Sequence, residues 1–208
     1  MRSGAIFVAI WLCALSQSNA QTVLNGSFET PALTPNSFFY DPTGASWIFS
    51  ANSGIINAPG GGFFGPPAPD GSQYAFLQSA TAPGAFSQTI NFTLSGTYLL
   101  SYLVAGRSDN GAGAAGDLSY QILLDSTVIA IDATTTGQSF TTRVFQFTAT
   151  AGDHTLTFEV SPDSTGDNTA FFDAVAIQVP EPRTDVLLLS FASLVPLARV
   201  LKRRAQER

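Results

Sequence analysis

The stretch "HTLTFEV" (154–160) sets Leu156, Phe158 and Val160 on one face and Thr155, Thr157 and Glu159 on the other. That period of two is what an extended strand converts into one apolar and one polar side. The same rhythm recurs in "TRVFQFT", where Arg143, Phe145 and Phe147 oppose Val144, Gln146 and Thr148. Each such strand has one face to bury, whereas "YLLSYLVAG" (98–106) is apolar on both and suits a central strand.

Runs rich in Phe, Tyr, Thr, Val and Ile predict strands over 46–50, 73–78, 85–93, 97–106, 118–124, 127–131, 141–150, 154–160 and 171–179. Turn residues separate them, as in Pro69-Asp70-Gly71, Leu94-Ser95-Gly96 and Ala151-Gly152-Asp153. No stretch of the body carries helical periodicity. The expected fold is an all-β antiparallel sandwich of the jelly-roll kind over residues 21–179. The Gly- and Pro-rich segment 52–69, with Ile55, Ile56, Phe63 and Phe64, reads as a long surface loop, and 109–116 as another. Gly111-Ala-Gly113-Ala-Ala-Gly116 matches a dinucleotide fingerprint only in composition, because it opens a strand rather than a helix.

Both ends read as address labels. Arg2, an apolar run over 5–15 and the small residues Ser18 and Ala20 lay out a secretory signal peptide cut between Ala20 and Gln21. A lipoprotein cut before Cys13 is the competing reading, although Trp11 and Leu12 stand where such sites want small residues. Removal of residues 1–20 takes away Cys13, the only cysteine, and with it disulfide, thiolate-metal and thiol-nucleophile chemistry. Residues 21–180 then hold two cations, Arg107 and Arg143, against twelve acids, a formal charge of −10. Such a surface repels a phosphate backbone and tolerates a neutral sugar or a divalent cation.

At the other end, Pro180 and Pro182 stop the last strand, and a run over 186–198, apolar apart from Ser190 and Ser193, precedes a basic tail that includes Arg199, Lys202, Arg203 and Arg204. As a helix, 186–201 spans roughly 24 Å, short against a bilayer core of about 30 Å. This order of parts, Pro180-Glu181-Pro182, then Thr184, an apolar helix and an arginine-rich end, resembles the PEP-CTERM sorting signal of Gram-negative bacteria. Asp185 and Pro196 depart from the pattern. The resemblance implies transient insertion in the inner membrane through 186–201, processing by an exosortase, and delivery to the cell surface or an exopolysaccharide matrix. The competing reading is an ordinary C-terminal membrane anchor.

The start and end of the body carry its most informative acids. Asp173 in "FFDAVAI" (171–177) alternates in phase with Val175, Ile177 and Val179, which would put a carboxylate at the edge of the core; with Phe172, Ala174 and Ala176 inward it faces solvent instead. Glu29 would stand beside it if the first and last strands are neighbours. The motifs "NGSFE" (25–29), "PDGSQYAFLQ" (69–78), "SQTINFTLSGTYLLSY" (87–102) and Phe172-Asp173-x-Val175 resemble the galactose-binding-like sandwiches, including carbohydrate-binding modules and DUF642-type extracellular domains. That resemblance implies a structural calcium held by Glu29 and Asp173.

Sugar recognition needs flat aromatic faces with polar neighbours, for which Trp47, Tyr40, Phe63 and Phe64 are the candidates. Tyr74 reads as core, and Trp47 as either platform or core. The lone His154 reads as an exposed turn residue, and no serine sits in a nucleophile elbow. The twelve acids allow a glycosidase without singling out a pair. The sequence therefore points to a non-enzymatic, glycan-associated surface or matrix protein, with a purely structural envelope protein as the alternative. An exposed Trp47 favours the first and a buried Trp47 the second.

Overall fold

The computed structural model describes residues 21–57, 63–79, 84–109 and 115–180. The expected signal peptide with Ala20, and the sorting segment with Glu181, Pro182, Thr184, Arg199, Lys202, Arg203 and Arg204, lie outside the described residues.

The described chain is all β: β1 (Phe38–Tyr40), β2 (Ile48–Phe49), β3 (Ser53–Asn57), β4 (Gln73–Gln78), β5 (Ala85–Phe92), β6 (Gly96–Gly106), β7 (Ser119–Leu124), β8 (Thr127–Ala133), β9 (Thr141–Ala149), β10 (Gly152–Val160) and β11 (Thr169–Gln178). They form two antiparallel sheets, β1-β3-β4-β11-β6-β9 and β2-β5-β10-β7-β8. The expected sandwich is the observed one, and β4 begins and ends where its sequence pattern does.

Two strands escaped the sequence reading. Inside the segment expected as a surface loop, β3 is buried at all five positions and pairs with β1 and β4. Its polar residues find partners that the sequence does not announce: the Ser53 hydroxyl donates to the Ala85 carbonyl at 2.6 Å, and Asn57 Nδ2 to the Leu33 carbonyl at 3.3 Å. Gly54 is needed for close approach, since a Cβ there would stand 2.1 Å from the Phe39 carbonyl oxygen.

Between the sheets lies an aromatic core. Phe86 of β5 stacks on Phe158 of β10 at 4.9 Å, and Phe172 of β11 meets Tyr120 of β7 edge-on at 4.9 Å. Each such ring removes apolar surface worth about 1.5–3 kcal/mol from water. The phenols are satisfied in series: Tyr102 donates to Tyr120 at 3.0 Å, Tyr120 donates to Asp132 at 3.0 Å, and Asp132 pairs with Arg143. The chain crosses from β6 to β7 and leaves through β8 and β9, so it ties the two sheets with directional contacts.

β11 carries one extra residue against β6: Asp173 faces Leu103 while Ala176 faces Ser101. Ala174 takes φ 50° to make this bulge. Phe172 before it and Val175 and Ile177 after it therefore all enter the inter-sheet core, so each alternation reading of this strand holds on one side of the bulge only.

The ends of the sandwich differ. At the Gly96 end of β6 lie the tight turns 93–95, 125–126 and 150–151, the exit at Pro180, and Gln21, which bridges Ile177. At the Gly106 end lie the longer connections 134–140 and 161–168, together with the described flanks of two more at Ser79, Gly84, 107–109 and 115–118.

A left-handed alanine costs about 1–2 kcal/mol that glycine avoids. Ala174→Gly should raise the unfolding free energy by about 0.5–1 kcal/mol in urea denaturation, whereas Ala176→Gly, on ordinary strand backbone, should lower it by a similar amount. A loss at both positions would show that the bulge is not under this strain.

Candidate functional site

β4 is buried at all six positions and β11 at its first five, Thr169 to Asp173, so both faces are covered there. Their outer face holds a second apolar cluster of Ile56, Phe63, Tyr74, Phe76, Ala105 and Phe171. The segment from Phe63 to Asp70 lies across it as a strap. Phe63 stacks on Phe76 at 5.0 Å, and the Tyr74 hydroxyl donates to the Pro66 carbonyl at 2.9 Å. Gly65 is obligatory here, since a Cβ would come within 2.2 Å of the Tyr74 oxygen.

This face brings together two of the four aromatic residues expected to meet a sugar, Tyr40 and Phe63. Tyr40 lies 6.2 Å from Phe63 ring to ring, and Phe64 follows in the chain, 55% exposed. Phe38, which sequence reasoning missed along with its strand, joins them at 4.8 Å from Phe63 and is 45% exposed. Phe63 itself is buried beneath, so the accessible rings are Phe38, Phe64 and half-buried Tyr40.

Trp47 is elsewhere. It is 3% exposed in the inter-sheet core, edge-on to Phe86 at 5.4 Å, with its indole N–H donating to the Asn25 carbonyl at 3.0 Å. The platform alternative for Trp47 is thus replaced by the core one: no face of the indole is free. Tyr74 is core as expected.

Polar groups border the rings at the long-loop end. The Tyr40 hydroxyl donates to Gln78 Oε1, and Gln78 Nε2 donates to Thr169 Oγ1 at 3.1 Å. Arg107 sits over Phe63 with its Cζ 5.2 Å from the ring centre, Nη1 3.5 Å from Asp167, and Nε buried without a partner. Burial raises the Tyr40 pKa, aided by the Asp167 charge and opposed by Arg107 and the Gln78 hydrogen bond, so its hydroxyl stays a donor at neutral pH.

Glu29 and Asp173 do reach the same element, the turn Pro69-Asp70-Gly71-Ser72, from opposite sides. Glu29 Oε1 accepts the amides of Ser72 at 2.8 Å and Gln73 at 2.7 Å, and Oε2 accepts the Ser72 hydroxyl at 2.9 Å. Asp173 accepts the amides of Asp70 at 3.1 Å and Ala174 at 2.7 Å. Asp173 is fully buried, on the outer face rather than in the inter-sheet core or in solvent.

The calcium that the galactose-binding resemblance implies would have to displace these donors from both carboxylates. Both carboxylates are engaged by N–H and O–H donors, and among the described residues no three His, Cys, Asp or Glu side chains converge on a metal position. What they form is a clamp on the turn.

His154 departs from its expected place as an exposed turn residue. Its Nδ1 lies 2.7 Å from Asp125 Oδ2 and its Nε2 3.0 Å from Thr150 Oγ1, which staples two turns beside an open groove of about 490 Å³ at the short-turn end. The Thr155 amide, followed by His154, holds the Asp125 carboxyl below its ordinary value.

An antiparallel two-sheet sandwich with an aromatic and polar patch beside its long loops defines the class. The HpiC1-like family model, described as HpiC1 cyclase, matches residues 19–178, and the chain belongs to that family. No curated protein matches it. Similar solved structures include a family 35 carbohydrate-binding module from Clostridium thermocellum, with 12% identity over 67% of this chain and 95% of that one and a TM-score of 0.43. A family 6 module of LamC from Zobellia galactanivorans has 20% identity over 62% and 100%, with a TM-score of 0.41. The adhesin domain of Lys-gingipain from Porphyromonas gingivalis has 13% identity over 70% and 95%, with a TM-score of 0.49. At such identities nothing of what these proteins bind carries over.

Burial, opposed by the Ala174 and Asp70 amides and reinforced by the Asp70 and Glu29 charges, lifts the Asp173 pKa from 3.8 to about 7. The neutral acid is favoured in the folded chain, so its contribution is complete below about pH 4 and is lost as pH rises through about 7. Unfolding free energies of the wild type minus Asp173→Asn should fall by on the order of 2–4 kcal/mol between pH 4 and pH 8. At pH 8, calcium or EDTA should leave the melting temperature unchanged; a calcium-dependent rise that Asp173→Asn abolishes would restore the cation.

Proposed function

We propose that this chain is an exported surface or matrix protein that binds polysaccharide through its long-loop end and catalyses no reaction. One observation carries the reading: Phe38 and half-buried Tyr40 present partly open rings around Phe63, with exposed Phe64 next in the chain, while Gln78 bonds Tyr40 and Arg107, paired with Asp167, covers Phe63. Rings to stack on sugar faces next to mixed donors and acceptors for hydroxyls are what carbohydrate recognition requires. The buried Trp47 fits the structural-protein alternative, but the rings around Phe63 supply a platform without it. With two cations against twelve acids in residues 21–180, a neutral glycan suits the surface better than a polyanion.

Topology supports the export part of the proposal. The first residue after the expected cut, Gln21, and the sorting tripeptide's Pro180 lie at the short-turn end. A precursor held in the inner membrane by its tail, before exosortase processing, would stand on that end and turn the patch outward.

The family description favours a second reading, catalysis, and one group suits it: Asp173 keeps its proton up to about pH 7, as a general acid must. Yet Asp173 is fully buried and held by the Asp70 amide at the end of the strap, so a substrate would have to displace at least that end to reach it.

Co-sedimentation with exopolysaccharide from the native envelope tests the proposal. Tyr40→Ala combined with Phe64→Ala should weaken retention about tenfold or more, as expected for stacking contacts of roughly 0.5–1.5 kcal/mol each. Trp47→Phe should retain binding while lowering stability by about 1–3 kcal/mol. A wild type that sediments with no polysaccharide would leave the structural role; conversion of a substrate that Asp173→Asn abolishes would move the protein to the catalytic reading.

A further inference from the structure

Gln21 is 7% exposed and forms an isolated antiparallel bridge with Ile177. It lines a cavity of about 210 Å³ together with Thr93, Leu94, Thr97, Tyr98 and Val179, and no residue of the lining carries a charge. The chain just behind it is pinned, because Gln88 takes the Leu24 amide on Oε1 at 2.8 Å and returns Nε2 to the Leu24 carbonyl at 2.8 Å. The position of Gln21 is therefore set by the fold.

The 7% exposure is the uncut chain's; cleavage after Ala20 would place an α-ammonium on Gln21, with no carboxylate in the lining of the cavity to pair it. A charge held against an uncharged lining without a partner tends to be neutralised. Glutamine is the residue type that can remove the charge by itself: its Cδ stands at the spacing for a five-membered ring with its own α-nitrogen.

We propose that the mature chain begins with pyroglutamate formed from Gln21, a modification that rests on the export reading above. The α-amine, once deprotonated, attacks the side-chain Cδ; the new N–Cδ bond forms as the Cδ–Nε bond breaks, and the amide nitrogen leaves as ammonia with the proton released by the amine. No oxidant or co-reactant is needed. The lactam is neutral, keeps one N–H donor, and fits a cavity lined by uncharged side chains. It also closes the end of the chain to aminopeptidases at the pole where the tail departs.

The test is mass analysis of the N-terminal peptide from protein recovered without heating from the native envelope. The expected peptide starts at residue 21, is lighter than its sequence mass by one ammonia, and has no free amine. A peptide starting at Gln21 at full mass with a reactive amine overturns the modification and leaves the export reading intact. A peptide starting elsewhere overturns both. Handling can cyclise a glutamine, so a second measurement separates the fold from chemistry in the tube: cyclisation of freshly prepared free-amine protein, native against urea-unfolded. The native chain should cyclise at least as fast; slower cyclisation when folded would show that the cavity protects the amine rather than driving ring closure.

Discussion

The bulge in β11 is the constraint on which the rest of the molecule depends. Without the extra residue at Ala174, Val175 and Ile177 would face outward and the lower half of the inter-sheet core would lose two of its apolar side chains. The same irregularity frees the Val175 amide to donate to the Gly26 carbonyl at 2.9 Å, which docks the N-terminal segment against the last strand. Gly26 must be glycine for that docking, since a Cβ would lie 2.2 Å from the Val175 oxygen. Once the segment is docked, Glu29 reaches the turn at Ser72 and Asn25 receives the Trp47 indole. One extra residue in the central strand thus sets the core, the N-terminal closure and the acid clamp together.

A domain with no cysteine in its described residues has to hold two sheets together by other means. Aromatic packing supplies most of the area, but rings alone tolerate sliding. The chain from Tyr102 through Tyr120 and Asp132 to Arg143 fixes the relative position of four strands with oriented hydrogen bonds. It also uses one of only two cations in the body, at 28% exposure. Arg143 is consequently a structural cation, and Arg107 is the one that borders the aromatic patch.

The period-two pattern made most of the sandwich legible, because a strand with one buried face writes that face into alternate residues. It failed where both faces are buried and the contacts are supplied by backbone. β3 is Ser-Gly-Ile-Ile-Asn, polar or glycine at three of five positions, and its burial depends on partners in β1, β4 and β5 that no local pattern reveals. β1 was missed for a related reason: three residues are too few to show a period. Among site residues, Tyr40, Phe63 and Phe64 were legible as aromatics outside an alternating strand, and the structure brings the first two together with Phe38. Trp47 was not separable into core or surface, since the neighbours that bury it come from β5 and β10. For Asp173 the difficulty is sharper: a bulge breaks the phase on which any reading of that strand relies.

Membership of a family described by a cyclase does not settle what this chain does, because function rests on a site rather than on a fold. The geometry frames the difference between binding and catalysis as a question about one strap. Asp173 has the proton affinity of an acid catalyst, but the same burial that raises it keeps substrate away. Opening the strap would hydrate the carboxylate, release the Asp70 amide, and let the pKa fall back toward its ordinary value. An acid that is strong in proton affinity only while sealed cannot meet a substrate unless the substrate itself replaces the strap as the apolar cover. The rings of Phe38 and Tyr40 have no such requirement, since they are already partly open beside donors and acceptors held by the fold.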